Sequence, residues 1–307
     1  MRGPGRGDAV TSELVVCSGE VADALADKRP VVALETTIVA HGFPAGEGLA
    51  VGRECEQRVR DGGGVPATVA VVDGALRVGL DDEQLERVAA AGADARKVSP
   101  RDLAACVVDG ALGATTVGAT LAACRLAGVS FLATGGIGGV HRGYAGRPDI
   151  SADLAELART RAVVVSSGVK SLLDVPATLE ALETLGVPVV GFATDTVPLF
   201  YAAEGGPPAP IRVDTATGVA ELAQAHWALG RETGLVVARA PDPDVDVGRL
   251  IEEALTRAEA ERIEGQAVTP YVLSYVHAAS AGKTLEVNRR LAADNAALAA
   301  EIAAAYR

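Results

Sequence analysis

Aromatic side chains are scarce in this sequence: they make up only 3% of its 307 residues, with a single tryptophan. The chain therefore offers few stacking surfaces. Long apolar runs are missing too, although 49% of the residues are hydrophobic. No stretch approaches the roughly 20 apolar residues that a membrane-spanning helix needs. This composition predicts a globular protein of the cytoplasm that has no membrane partner.

Positive charge is in deficit, because 28 Lys and Arg residues face 40 Asp and Glu, for a formal net charge of −12. Such a chain repels phosphate backbones, which argues against a polymeric nucleic acid as partner. A small anionic ligand stays compatible, since one pocket can be locally positive. The four cysteines, Cys17, Cys55, Cys106 and Cys124, match neither a zinc nor a CxxC spacing and indicate reduced thiols.

Short β-rich runs alternate with helical patterns, which predicts an α/β sheet with helices on both faces. Residues 1–12 begin with a Gly- and Arg-rich stretch and are predicted to be flexible, with one α/β domain over residues 13–307. The predicted strands are Pro30–Leu34, Ala67–Val72, Leu76–Val78, Ser130–Ala133, Ala162–Ser166, Pro188–Phe192 and Leu235–Ala238. After about Val213 the pattern is mostly helical and ends in an amphipathic helix at Thr284–Tyr306.

Charged side chains stand where predicted strands end, which is where α/β proteins place their functional groups. Glu35 follows an apolar strand, and partial burial there would suit its carboxyl group to proton transfer. An ordinary loop acid or a helix cap explains it equally well. Lys97 precedes the helix start Ser99-Pro100, where a lysine beside free N–H groups makes a phosphate site. The alternative is a solvated surface lysine.

A glycine-rich stretch, TGGIGGVHRG, follows another strand over residues 134–143 and contains His141. Its glycines would let backbone N–H groups approach an anion closely. A few residues later, Asp149 and Asp153 are four apart, so on a helix they share a face. Such carboxylates with Ser151 between them suit Mg²⁺ or Mn²⁺. Asp149 or Ser151 capping a helix is the competing interpretation.

Lysine is rare, since only four of the 28 basic residues are lysines. One of them, Lys170, closes the stretch SSGVK after the apolar strand at residues 162–165. A lysine desolvated behind a buried strand can lose its proton and attack a carbonyl carbon, which arginine cannot do. A lysine whose stem covers apolar surface while its charge reaches water is the alternative.

Seven strings in this order resemble the pseudouridine-5′-phosphate glycosidases, the indigoidine synthase A-like family. They are LETTIVAHGFP, VPATVAVVDG, KVSPRDLA, GATTV, TGGIGGVHRG, DISADL and SSGVKSLLDVPATLE. The resemblance extends from about residue 13 to the end of the chain. The segment between Asp195 and Arg212 departs from the family pattern, which leaves the shape of that loop open.

The resemblance implies reversible cleavage of pseudouridine 5′-phosphate to uracil and ribose 5-phosphate. It implies that Lys170 forms a Schiff base, that Glu35 donates a proton, and that His141 and Asp153 belong to the same catalytic site. The substrate-binding positions it implies are Lys97, Thr115, Thr116, the backbone at Val117, Ser151, Ala152 and Asp153, with Asn288 and Asn295 as further matches that could equally be helix-face amides.

The resemblance also implies one Mn²⁺ per subunit at Asp149, with Mg²⁺ as the alternative ion, and a homotrimer. The fold it implies is an α/β/α layered domain around a mixed, mostly parallel sheet, with a helical C-terminal part. Two other functions stay open. Another Schiff-base sugar-phosphate lyase or aldolase would share the lysine and the phosphate anchor. A non-catalytic accessory protein of a pigment pathway would share only the fold.

Overall fold

The computed structural model describes residues 14–44, 46–146, 148–242, 244–263 and 267–306, without the side chain of Thr269. The segment 1–12, predicted to be flexible, lies outside these residues. The assignment of residues 13–307 to one domain stays a prediction. Within the described ranges, no helix is both long enough and apolar enough to cross a bilayer.

A row of parallel strands forms the centre of the fold. In spatial order they are β2 (Val31–Leu34), β7 (Phe131–Ala133), β9 (Val163–Ser166), β13 (Leu235–Arg239), β11 (Val189–Phe192) and β12 (Ile211–Val213). Strands β2, β7 and β9 are buried along their whole length. Continuous apolar runs of this kind are typical of parallel strands that helices cover on both faces.

The long strand β3 (Val65–Val72) makes the sheet mixed. Its first half pairs in parallel with β2, and its second half pairs antiparallel with β4 (Ala75–Val78) and β6 (Gly113–Thr115). Strand β1 (Val15–Cys17) adds in parallel to β4, and β5 (Arg96–Val98) adds in parallel to β6. The mixed, mostly parallel sheet is therefore confirmed. Strands β1, β5, β6 and β12 were not among the predicted ones.

Helices flank the sheet on both faces. They are α1 (Gly19–Ala26), α2 (Thr37–His41), α3 (Gly48–Asp61), α4 (Asp82–Ala91), α5 (Leu103–Val108), α6 (Val117–Ala127), α7 (Ala152–Leu157), α8 (Val175–Thr184), α9 (Ala216–Ala228), α10 (Gly248–Ala260), α11 (Val268–Ala279) and α12 (Lys283–Ala305). A separate antiparallel pair joins β8 (Val140–His141) to β10 (Leu173–Asp174).

The predicted long C-terminal helix is confirmed as α12, which has 23 residues. It packs against α3 and α9 and against strands β2, β7 and β9. Its many alanines and buried Leu291 and Leu298 let it lie close to the sheet. The helix therefore passes beneath the ends of the strands that carry the predicted site residues.

The carboxyl ends of β2, β7 and β9 lie together at one edge of the sheet, because these strands are parallel neighbours. Leu34 pairs with Ala133, and Ala133 pairs with Val165, so the three strands end almost level. The hydroxyl of Thr36, just beyond β2, donates to the carbonyl of Val69 on β3 at 2.7 Å. That bond fixes the first loop of this edge to the neighbouring strand.

Candidate active site

The carboxyl edge opens into a cavity of about 430 Å³. Its walls come from the loops after β2, β5, β7 and β9 and from helices α2, α7, α11 and α12. The residues predicted for the site that line it are Glu35, Lys97, Thr116, His141, Asp149, Ser151, Ala152, Asp153, Lys170 and Asn288. Side chains spread over more than 250 positions of the sequence thus meet around one space.

Glu35 follows β2 directly and is only 4% exposed. Its Oε2 accepts the N–H of Ile38 at 3.0 Å and the hydroxyl of Thr37. Its Oε1 accepts the hydroxyl of Thr134, the first residue after β7, at 3.3 Å. The donors come from the start of α2 and from the loop after β7, so they hold the carboxyl group in one orientation at the cavity wall.

The loop that carries Lys170 runs alongside the glycine-rich loop after β7. The N–H of Ser167 donates to the carbonyl of Gly135 at 2.9 Å, and the N–H of Ile137 donates to that of Gly168 at 3.1 Å. The N–H of Lys170 in turn donates to the carbonyl of Ile137 at 3.1 Å. Strands β7 and β9 thus continue past their ends as a short ladder, which places the half-buried side chain of Lys170 at the cavity.

Lys97 lies on β5 and lines the same cavity. Its pKa falls to about 8, mainly because burial disfavours the charged amine. Repulsion from the charge of Lys170 lowers the pKa further, whereas Asp153 and Glu35 act in the opposite direction. The two lysines are therefore close enough to interact, and Lys97 is near its titration point at neutral pH.

Asp153 fastens three segments together through its carboxylate, which is 4% exposed. Its Oδ1 accepts the N–H of Gly118 in the first turn of α6 at 2.7 Å. Its Oδ2 accepts the N–H of Gly138 in the glycine-rich loop at 2.8 Å. A Cβ atom on Gly138 would lie 2.2 Å from Oγ of Ser151, so only glycine permits this close approach.

His141 and Asp149 form a pair at the cavity wall, with 3.9 Å between Nδ1 of the histidine and Oδ2 of the carboxylate. Burial lowers the pKa of His141, Asp149 raises it, and the charges of Lys97 and Lys170 lower it. No group of three His, Cys, Asp or Glu side chains suited to a metal occurs among the described residues. A hard divalent cation can nevertheless rest on one carboxylate, water and substrate oxygens, so Asp149 fits that kind of ion.

The two C-terminal asparagines have different positions. Asn288 lines the cavity, and its Oδ1 is buried without a hydrogen-bond partner. Asn295 lies behind the wall, where its Nδ2 donates to the carbonyl of Thr134 at 2.9 Å and to the hydroxyl of Ser167 at 3.2 Å. Asn288 is therefore the one that faces the cavity, and Asn295 holds the starts of the two loops.

Three of the residues predicted for the site, Thr115, Val117 and Asn295, do not line the cavity. Thr115 ends β6, and its hydroxyl donates to the carbonyl of Val69 at 2.6 Å. Val117 begins α6, with Thr116 as the N-cap. Thr115 and Val117 thus support the cavity wall from behind.

The lining residues that were not predicted include three with charged, titratable or aromatic side chains, namely His41, Arg101 and Phe200. His41 stands inside the LETTIVAHGFP string, and burial followed by the charge of Lys97 lowers its pKa. Arg101 lies two residues after Ser99, in the predicted phosphate stretch, and its side chain is 79% exposed. Phe200 belongs to the segment that departs from the family pattern, where the sequence carries no signal for a site residue.

The sequence matches a family described as indigoidine synthase A-like protein over residues 20–305. A pseudouridine-5′-phosphate glycosidase of Paracoccus denitrificans is 47% identical, over 95% of this chain and 98% of the relative. A second relative with that name, from Geobacillus kaustophilus, is 44% identical over 95% of this chain and 98% of the relative.

Two solved structures share the whole architecture. A prealnumycin C-glycosynthase, AlnA, in complex with ribulose 5-phosphate has a TM-score of 0.87 and 38% identity, over 96% of this chain and 97% of that one. An indigoidine synthase A-like protein from Thermotoga maritima has a TM-score of 0.85 and 36% identity, over 95% of this chain and 96% of that one.

Proposed function

The chain belongs to the indigoidine synthase A-like family, and from that membership we propose that it is a pseudouridine-5′-phosphate glycosidase. The reaction joins or separates uracil C5 and ribose C1′ reversibly, with water taken up in the direction of cleavage. The observation that carries this proposal is one cavity lined by Lys170, Glu35 and Lys97. These side chains supply an amine nucleophile, a proton-transfer group and a phosphate anchor.

The amine of Lys170 attacks C1′ and loses a proton, and the bond from C1′ to the ring oxygen breaks, so that the ribose opens and the ring oxygen gains a proton. The lysine nitrogen then pushes its lone pair toward C1′ and forms an iminium as the bond to uracil C5 breaks. Water releases open-chain ribose 5-phosphate and regenerates the amine. A carbon–carbon bond to uracil supports this route, because no leaving oxygen is present for the two-carboxyl mechanism of ordinary glycosidases.

Glu35 transfers the proton at uracil C5 in both directions. Cleavage requires C5 to gain a proton before its bond to C1′ breaks, and synthesis requires that proton to leave. The carboxyl group is fixed by donors from Thr37, Ile38 and Thr134, so its reach into the cavity is set before substrate binds.

The phosphate end of the substrate lies near Lys97 and the start of α7. Lys97 supplies the positive charge, and Ser151 and Ala152 line the cavity beside it. Asp153 has both oxygens bound to backbone N–H groups, so its contribution is to position the glycine-rich loop. His141 contacts the opened pentose, between the phosphate end and the uracil end of the substrate.

Asp149, with His141 beside it, would hold a divalent cation, Mn²⁺ or Mg²⁺. Such a cation would neutralise negative charge near the substrate and orient bound water. Because no cluster of three ligating side chains occurs among the described residues and Asp149 supplies one carboxylate, we expect binding weak enough for a chelator to compete. Turnover should fall after treatment with EDTA and return with Mn²⁺, while the low turnover of Asp149→Asn should not respond. Unchanged wild-type turnover in EDTA would remove the cation from the mechanism.

The decisive experiment traps the covalent intermediate. Incubation with ribose 5-phosphate and sodium borohydride should add the reduced pentose phosphate to Lys170, as mapped by peptide mass spectrometry, and Lys170→Ala should give no adduct. Glu35→Gln should still trap the sugar but lose turnover, because imine formation does not need the C5 proton.

A second assay, on protein that has not been treated with borohydride, separates this function from its rivals. Uracil together with ribose 5-phosphate should yield pseudouridine 5′-phosphate. Trapping without that product would favour another Schiff-base lyase or aldolase. The absence of any adduct would contradict the imine mechanism, and absence of both adduct and product would favour a non-catalytic protein.

A further inference from the structure

Phe200 has a backbone conformation that a bulky residue rarely adopts. Its φ is +63°, in the left-handed region, which is unfavourable for a residue other than glycine. Local strain of this kind persists only where the surroundings impose it. Among the described residues that line the cavity, Phe200 is also the one that is Phe, Tyr or Trp.

The turn that holds Phe200 is bound to the loop that carries Lys170. The N–H of Phe200 donates to the carbonyl of Ser167 at 3.0 Å. The hydroxyl of Ser171 donates to the carbonyl of Leu199 at 2.7 Å, and the N–H of Tyr201 donates to the same carbonyl at 2.7 Å. These bonds impose the strained conformation, and they fix the ring relative to the nucleophile.

The ring of Phe200 packs on the backbone of the glycine-rich loop. A Cβ atom on Gly136 would lie 2.6 Å from Cδ2 of the ring, so this glycine makes room for it. A Cβ atom on Gly135 would lie 3.4 Å from both Cε2 of Phe200 and Oδ1 of Asn288. The phenyl ring and the unpartnered amide oxygen therefore flank the same point.

The glycine-rich loop gives the cavity two chemically different ends. At Thr134 and Gly135 lie the carboxyl group of Glu35, the amide oxygen of Asn288 and the phenyl ring. At Gly138, three residues further on, lie Ser151 and Asp153. Three extended residues span at most about 10 Å, so one nucleotide-sized molecule can reach from one end to the other.

We propose that Phe200 is the specificity-determining wall of a subsite for the leaving group, selecting a planar heterocycle that stacks on the ring and donates an N–H to Oδ1 of Asn288. This inference rests on the proposed function and adds the recognition of the base to it. Stacking suits a leaving group that stays flat while its C5 atom gains or loses a proton. A buried acceptor without a partner is unfavourable, and an imide N–H of the base would satisfy it.

The test measures the recognition of uracil and the recognition of ribose 5-phosphate separately, in the direction of synthesis. Phe200→Leu should raise KM for uracil roughly tenfold, as expected for the loss of one stacked ring. KM for ribose 5-phosphate and borohydride trapping at Lys170 should stay within about twofold of wild type. Phe200→Tyr keeps the ring and should restore KM for uracil. Phe192→Leu, the same change at the end of β11 and away from the cavity, is the matched control.

Three outcomes would overturn the inference: an unchanged KM for uracil in a Phe200→Leu protein that still traps the sugar, an equal rise of both KM values, or no recovery in Phe200→Tyr. Calorimetric titration with uracil covers the case in which wild-type protein makes no product. If wild-type protein makes no product but binds uracil, and Phe200→Leu weakens that binding, the subsite is supported and the proposed reaction is contradicted. Binding that is absent, or equal in the two proteins, would reject the subsite itself.

Discussion

Lys97 shows how position changes the chemistry of a single side chain. Only four lysines occur in the chain, and two of them line one cavity. Elsewhere the chain uses mostly arginine for positive charge, and arginine stays protonated at any physiological pH. A lysine with a pKa of about 8 can lose its charge within the working range. Binding of a phosphate dianion and protonation of Lys97 should therefore favour each other.

The first prediction concerns pH. Below pH 8 Lys97 carries its charge, and above pH 8 it loses it, so the affinity for ribose 5-phosphate should fall as pH rises through this value. KM should increase up to about tenfold per pH unit on the alkaline side. In Lys97→Arg the alkaline rise should disappear, because arginine keeps its proton. Identical alkaline profiles for the two proteins would show that Lys97 does not bind the phosphate.

At the scale of elements, the cavity depends on loops that continue the sheet. The loops after β7 and β9 keep hydrogen bonding after the strands end, and the carboxylate of Asp153 joins the first of them to the start of α6. Asn295 of α12 binds the point where both loops begin. The cavity wall is thus built from short segments that are each held at both ends.

The second prediction tests the link that Asp153 makes between the glycine-rich loop and the start of α6. Asp153→Asn should lower the free energy of unfolding by about 2 kcal/mol, because an amide presents one acceptor and one donor to two N–H donors and leaves one buried N–H unpaired. Asp81→Asn is the matched control. Asp81 is an exposed N-cap that accepts the N–H of Gln84 alone, and asparagine caps helices about as well. Urea denaturation of both variants measures the difference, and equal stabilities would contradict the bridging role.

The sequence predicts the central elements well and the short peripheral strands poorly. Strands such as β9 are continuous apolar runs, so their pattern identifies them. Strand β5, with an exposed Arg96 and a half-buried Lys97, has no such pattern and exists because β6 lies beside it. Ten of the residues that line the cavity could be proposed as site residues from the resemblance. Phe200 could not, because its position follows from a strained turn that only tertiary contacts impose.

At the scale of the whole molecule, the site is assembled from distant parts of the chain. Thr36, Val69 and Thr115 share a buried network in which both hydroxyls donate to the carbonyl of Val69. Glu35 and Asn288 face one cavity although more than 250 residues separate them. Local sequence patterns carry no information on contacts between such distant residues. The sequence therefore could not distinguish the positions of Asn288 and Asn295.

The third prediction concerns assembly, which rests on the family resemblance. We expect three copies of the 31.1 kDa chain to associate. Light scattering coupled to size-exclusion chromatography should give a mass three times that of one chain and independent of loading concentration. A mass equal to one chain at micromolar concentration would exclude a stable trimer.

The position of α12 has a consequence for the order in which the pocket is completed. This helix follows every described strand of the sheet, yet it supplies the amide of Asn288 that lines the cavity and the side chain of Asn295 that binds the two loop starts. A molecule whose sheet has formed before α12 docks therefore lacks two supports of its pocket. The amine of Lys170 meets its finished surroundings only when this helix docks, so deletion of residues 283–305 should abolish activity even when the sheet has formed.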